Sequence, residues 1–336
     1  MHAPRIFSHC SLAAAFILSA EQGWRDPSKH NVRFVTVDQG VTLEVLDWGG
    51  LGPALVLLTG SGHTAHVYDD FAPKLTDCCH VYGITRRGYG ASSRPASGYD
   101  DQRLADDLFR ALEEARIPSP VLVGHSMAGG EMTTLGRQHS DRVSGLVYLD
   151  ALGDLEDEPP ADPEWATLAQ KVPPDLRPVP VCPAEDRTTF AAFRVSQACR
   201  LGFVVPIPES ELRNQFDVDD DRVGSVTAPD WVSRAIGQGQ VFRRDYSSIR
   251  VPVLAMLEFP ALRPDFRQPN NDSERAAIDA FLARGRVLMN RWIDKVKRSV
   301  ADVRLVELPG AGRYAFLTRE SEVLREIRAF VVSLRR

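Results

Sequence analysis

The segment Val121-Leu122-Val123-Gly124-His125-Ser126-Met127-Ala128 constrains the fold of this chain more than any other. It opens as an apolar run of the kind that forms a strand buried on both faces. It ends in small and polar residues, and a helical stretch begins at once and runs to about His139. A reversal this sharp brings two backbones almost into contact, so the positions two before and two after Ser126 must be small. Gly124 and Ala128 meet that need, and Gly129 and Gly130 keep the start of the helix slim.

On either side of this turn, strand and helix patterns alternate. Val32–Val37 and Val41–Trp48 read as strands with Gly40 near their turn, and Ala54–Leu58 reads as a buried strand. A helix near His66–Leu75, a strand near His80–Ile84 and a helix at Gln102–Ala115 follow, the last with Leu104, Leu108 and Leu112 on one stripe. The next strand after the turn is Val143–Leu149. Beyond the middle of the chain the pattern resumes with a strand at Val251–Leu257, a long helix at Ser273–Val300, a strand at Val303–Leu308 and a helix at Arg319–Leu334. Such alternation implies an α/β fold with a doubly wound, mostly parallel sheet.

Residues 153–245 interrupt that order. They carry Pro159-Pro160, Pro173-Pro174, Pro178-Val179-Pro180 and Pro206-Ile207-Pro208, with short helical stretches such as Thr188–Cys199 between them. Trp165, Phe190, Phe193, Phe203, Phe216 and Trp231 make this stretch richer in aromatics than a disordered linker. The expectation is a lid inserted after the sixth strand, with the core at 32–152 and 246–336. The lid aromatics suggest an apolar pocket, though core packing accounts for them equally well.

The bulk numbers exclude several function classes. Hydrophobic content of 43% and a net charge of −5 describe an ordinary globular chain without the basic stripe that nucleic acid requires. No segment approaches the roughly 18 consecutive apolar residues of a membrane span. Residues 1–20 resemble a signal peptide, with Arg5, the apolar Ser11–Leu18 stretch and Ala20 at a cleavage position. A mobile extension is the other reading, so the expected localisation is exported, periplasmic or secreted, with cytoplasmic as the alternative. Cys182 and Cys199 could pair in an exported protein, while Cys78 and Cys79 read as small buried fillers. No Cys or His spacing points to a metal, and no cofactor is implied. Oligomeric state is not legible.

The chain resembles the α/β-hydrolase superfamily, in its lid-bearing branch of esterases and haloalkane-dehalogenase-like proteins. The resemblance rests on Gly124-His125-Ser126-Met127-Ala128, on Arg87-Gly88-Tyr89-Gly90-Ala91-Ser92 and on Arg142–Asp150. It implies that Ser126 sits on a nucleophile elbow and attacks an ester or similar acyl bond, that of a small-molecule, apolar acyl substrate, with a Ser-acid-His triad completing the site. Met127 N–H at the helix start, and Ser61 N–H in the loop Thr59-Gly60-Ser61-Gly62-His63, are the expected oxyanion donors. Asp150 is the favoured acid, with Glu258 and Asp265 as the other choices. The family's His falls in the turn Pro309-Gly310-Ala311-Gly312-Arg313, where this chain has Arg313. An Arg keeps its proton at physiological pH and cannot act as the base. The histidines are His2, His9, His30, His63, His66, His80, His125 and His139. Of these, His63 and His66 are the substitutes in or near the oxyanion loop, and His125 is expected to pack beside the sheet. A dehalogenase or epoxide hydrolase needs a carboxylate at the elbow, and Ser126 argues against both. Two expectations follow: a serine esterase, or a hydrolase-fold protein that binds a small ligand under its lid with weak or no catalysis.

Overall fold

A computed structural model describes residues 24–153, 162–176, 182, 184–200, 207–219, 221–240, 244–259, 261–262 and 267–335. The signal-like segment, Phe203 and Asp265 lie outside them.

Among the described residues, ten strands form in chain order: β1 (Asn31–Asp38), β2 (Val41–Gly49), β3 (Ala54–Leu58), β4 (His80–Thr85), β5 (Val121–His125), β6 (Gly145–Leu149), β7 (Phe216–Asp219), β8 (Arg222–Val226), β9 (Val253–Phe259) and β10 (Val303–Pro309). All but β7 and β8 belong to one eight-stranded sheet of order β1-β2-β4-β3-β5-β6-β9-β10. Within that sheet the β1–β2 and β2–β4 pairings are antiparallel, and its other pairings are parallel. The β1–β2 hairpin turns at Gly40, whose φ of +71° is costly for a residue with a Cβ.

The main helices are α1 (Asp101–Glu114), α2 (Ala128–Gln138), α3 (Pro163–Lys171), α4 (Phe190–Arg200), α5 (Glu209–Gln215), α6 (Asp230–Gly239), α7 (Asp272–Ser299), α8 (Ala315–Thr318) and α9 (Glu320–Ser333). Asp100 caps α1 by accepting from Arg103 N–H, and Asn271 caps α7 by accepting from Glu274 N–H. The continuous helix expected at His66–Leu75 is instead two short 3-10 segments, Ala65–Tyr68 and Ala72–Leu75. Pro73 accounts for the break, because it has no N–H to continue a ladder.

The apolar runs are continuous because the sheet is covered on both sides. Successive residues of β5 face opposite layers. Leu122 joins the layer containing Leu108, Leu112 and Trp292, while Val121 and Val123 join the one containing Phe71, Phe316 and Phe330. Each buried side chain of this size contributes about 2 kcal/mol through the hydrophobic effect.

The chain between β6 and β9 builds the α3–α6 segment and the antiparallel β7–β8 hairpin. It has a small core of its own, made of Phe190, Phe193, Ile207, Leu212, Phe216 and Val223. Phe190 and Phe193 are therefore packing residues of this segment. A disulfide joins Cys182 to Cys199, with Cα atoms 5.8 Å apart. Cys79 is buried, as expected of a filler, and Cys78 is half-buried. Among the described residues, no helix is long and apolar enough to cross a membrane.

Candidate active site

Sheet order brings the functional loops together. β5 lies between β3 and β6, and Leu58 pairs with Gly124 while His125 pairs with Leu149. The loop after β3, Ser126 after β5 and Asp150 after β6 therefore start side by side at the carboxyl edge of the sheet. The strand order reverses between β3 and β5, which is where open α/β sheets bind ligands.

Ser126 has a φ of +53°, a left-handed conformation that costs a residue with a Cβ of order 1–3 kcal/mol. Its N–H donates to Leu149 O at 3.1 Å, and its carbonyl accepts from Gly129 N–H at 3.1 Å. The strained turn is thus held from both sides, as an elbow requires. A Cβ on Gly129 would come within 2.0 Å of Ala151 O, which makes the small residue after the elbow obligatory. The Cβ of Ala128 and a Cβ placed on Gly124 would be 3.2 Å apart, so Ala is accommodated at its position.

The expected oxyanion loop lies against this turn. A Cβ on Gly60 would stand 3.2 Å from Ser126 Cβ and 3.0 Å from His125 Nδ1. Arg86 fixes the loop from behind. Its Nη2 donates to Thr59 O at 2.9 Å and to Glu131 Oε1 at 2.7 Å, and its Nε donates to Glu131 Oε2 at 2.9 Å. Both side chains are buried, and the bidentate pairing ties the loop to α2. Ser61 itself is exposed and Met127 is buried beside Tyr89, Tyr99 and Val232.

Arg313, the residue that stands in the turn where a His is expected, reaches Ser126. Its Nη2 donates to Ser126 Oγ at 2.8 Å. His125 holds that arrangement in place, since its Nε2–H donates to Arg313 O at 2.8 Å. Burial first, and then the neighbouring His63, push the His125 imidazolium down to about 3, so the ring is neutral at physiological pH. His125 is thereby a positioning residue that ties the elbow to the turn after β10.

The substitute bases face elsewhere. His63 is buried, with Nδ1 at 2.8 Å from Glu211 Oε1 and Nε2 at 2.8 Å from the Tyr314 hydroxyl. His63 Nδ1 also lies 2.8 Å from Gln215 Nε2. Glu211 belongs to α5 and also accepts from Thr64 N–H at 3.0 Å and Gln215 Nε2 at 2.6 Å. This bond set locks the inserted segment onto the loop after β3. Glu211, Gln215 and Tyr314 carried no sequence signal, because they meet His63 from 148, 152 and 251 residues away. His66 turns its Nδ1 to Asp69 Oδ2 at 3.0 Å.

Asp150 stands directly after β6, half-buried, with a φ of +46° and its N–H donating to Met256 O at 2.9 Å. Glu258, near the end of β9, accepts from Gly312 N–H at 3.1 Å and so braces the turn that carries Arg313.

A central parallel sheet, a strained Ser elbow at its switch point and a Gly loop against that Ser define a hydrolase fold. The chain matches the Alpha/beta hydrolase family over residues 55–326 and belongs to it. It is similar to 2-(acetamidomethylene)succinate hydrolase of Mesorhizobium japonicum, at 28% identity over 36% of this chain and 44% of that one. It is also similar to epoxide hydrolase A of Mycobacterium tuberculosis, at 34% identity over 33% of this chain and 35% of the relative. The chain thus matches less than half the length of either curated relative. A crystal structure of E-2-(acetamidomethylene)succinate hydrolase superposes over 90% of this chain and 99% of that one, with a TM-score of 0.63 and 19% identity.

Proposed function

We propose that the chain is a serine hydrolase that cleaves a carboxylic ester or similar acyl bond through an acyl-enzyme on Ser126. The observation that carries this reading is the left-handed Ser126 at the β5–α2 junction, held by hydrogen bonds on both sides and abutted by Gly60. Strain of this kind persists only where surrounding structure enforces it, and it is concentrated at functional sites.

The chemistry differs from that of a full triad. The Ser126 Oγ lone pair attacks the carbonyl carbon, and the carbonyl π pair moves onto oxygen, where Ser61 N–H and Met127 N–H would receive it. Collapse re-forms the carbonyl and breaks the bond to the alkoxide, which takes its proton from water; a second water then attacks the acyl carbon, and the bond to Ser126 Oγ breaks to release the acid. Arg313 stabilises an alkoxide on Ser126 but takes up no proton. The hydroxyl proton must therefore pass to hydroxide or water. The expected enzyme is slow, because a missing base leaves roughly 10³–10⁴-fold catalysis over water. Asp150 would be the acid that orders this corner of the site, and the segment between β6 and β9 would act as its lid. The Cys182–Cys199 disulfide supports an exported protein, since such bonds persist in oxidising compartments.

Fluorophosphonate labelling tests the reading: stoichiometric modification of Ser126 in the folded parent, lost in Ser126→Ala, is the expected result. No labelling of the folded protein would overturn it. The Arg313–Ser126 hydrogen bond favours a second reading, a hydrolase-fold protein that binds a small ligand with weak or no catalysis. That reading fails if p-nitrophenyl esters are turned over at ordinary rates and Ser126→Ala abolishes the turnover.

A further inference from the structure

Away from Ser126, four side chains from two distant stretches of sequence converge on one point. Asp26 and His30 precede β1, and His66 and Asp69 lie in and just after the first 3-10 segment. One ligand atom from each can be chosen so that all four lie within 4.8 Å of one another. His30 Nδ1 is 2.9 Å from Asp69 Oδ1, and His66 Nδ1 is 3.0 Å from Asp69 Oδ2. His66 Nδ1 is 3.5 Å from Asp26 Oδ2, and His30 Nε2 is 3.8 Å from the same oxygen. The ligand atoms of a tetrahedral zinc with bonds of 2.0–2.1 Å are about 3.3 Å apart. These pairs involve both His30 nitrogens and both Asp69 oxygens; a closed site takes one atom from each residue, all within 4.8 Å, and draws the wider pairs in toward that spacing.

The surroundings match what a metal site places behind its ligands. Metal-bound histidines direct the far ring nitrogen at a carboxylate or carbonyl, which fixes tautomer and orientation. His66 presents Nδ1 to the cluster while Nε2 faces Glu44 Oε1 at 3.5 Å. Glu44 is buried and is itself held by Thr85 Oγ1, which donates to Glu44 Oε2 at 2.7 Å. Ser210 Oγ donates to Asp69 Oδ2 at 2.6 Å, and Trp48 Nε1 donates to Asp69 Oδ1 at 3.2 Å. The imidazoles and Asp69 are almost wholly shielded, whereas Asp26 is 26% exposed and gives a path for entry. Three carboxylates, Asp26 at the exposed edge and Asp69 and Glu44 buried, thus face two imidazoles.

We infer that Asp26, His30, His66 and Asp69 form a structural site for a divalent cation of the zinc type, with Glu44, Ser210 and Trp48 as its outer support. All four protein ligands are present, so the site closes around the ion and holds it without an open catalytic position. The cation clamps the stretch before β1 to the first 3-10 segment. Through Ser210 it reaches α5, which carries Glu211 and its bond to His63. The clamp does not depend on what Ser126 does.

The test uses the full chain, stripped with chelator and then titrated with Zn(II) or Co(II). One equivalent should bind, thermal unfolding should move up by several degrees, and the cobalt form should show the visible d–d bands of a tetrahedral centre. Asp26→Asn, at the exposed corner where the fold is least at risk, should weaken binding at least tenfold while leaving circular dichroism unchanged. His66→Gln should do the same or more. Less than one equivalent bound with no thermal shift would overturn the site and leave an ion-pair cluster. So would unaltered binding in both variants, or a thiolate-to-cobalt charge-transfer band, which would place the ion at Cys78 and Cys79 instead.

Discussion

Arg313 Nη2 donates a hydrogen bond of 2.8 Å to Ser126 Oγ, so a guanidinium meets the hydroxyl that the proposed reaction uses as its nucleophile. The turn that presents it is anchored twice, by His125 Nε2–H on Arg313 O and by Glu258 on Gly312 N–H. The substituted position is therefore well ordered, and its neighbours can be tested one at a time.

Arg313→His should raise activity. A positioned general base contributes typically 10²–10⁴-fold, and the backbone at this turn already points its side chain at Ser126. A gain of at least about 10²-fold in kcat/KM on p-nitrophenyl acetate is expected. The parent's kcat/KM should climb with pH without a plateau, whereas the variant should level off above the pKa of its new imidazole. An unchanged rate and profile in the variant would place the base elsewhere.

Ser126 should be worth less to stability than to function. Its φ of +53° penalises a Cβ, and glycine does not carry that penalty. Ser126→Gly should be more stable than Ser126→Ala by about 1 kcal/mol in urea unfolding, with both variants unlabelled by fluorophosphonate. Equal stabilities would show that the turn relaxes once the hydroxyl is gone.

His125 should make the fold sensitive to acid. Its imidazole is held at about 3 when folded, below the ordinary value of 6.5, so the unfolded chain binds the proton more tightly. Stability from this group is complete above pH 6.5 and is lost progressively as pH falls toward 3. At pH 5 the loss is about 2 kcal/mol, from 1.5 pH units at 1.36 kcal/mol each. His125→Asn keeps a donor for Arg313 O but does not titrate. Its stability difference from the parent should therefore shrink between pH 7 and pH 5, measured by chemical denaturation.

Reducing the disulfide should loosen the segment between β6 and β9 before the sheet. Cys182 and Cys199 are 17 residues apart, and closing a loop of that size restricts the unfolded chain by about 3 kcal/mol. Cys182→Ser, or dithiothreitol, should open protease sites within that segment while the sheet stays intact. Cleavage at the same rate with and without the bond would contradict this.

Periodicity and the identity of a few residues made the sheet and the sharp β5–α2 turn at Ser126 legible in advance. Local chemistry dictated those features: apolar runs need two covered faces, and small residues permit a tight reversal. The break at Pro73 was equally local, though the helical pattern around it concealed it. Other features depend on chain segments that only the folded sheet brings together. The pairing of Leu58 with Gly124 and of His125 with Leu149 sets the Gly60 loop and Asp150 beside Ser126. Glu211 reaches His63 from an inserted helix, and Asp26, His30, His66 and Asp69 meet across a hairpin and a 3-10 turn. Sequence by itself determined the class of fold and marked Ser126, because both follow from contacts between near neighbours in the chain. The hydrogen bond from Arg313, the roles of His63 and His125, and the metal-type cluster were decided only by tertiary structure, because their partners are far apart in sequence and carry no shared local pattern.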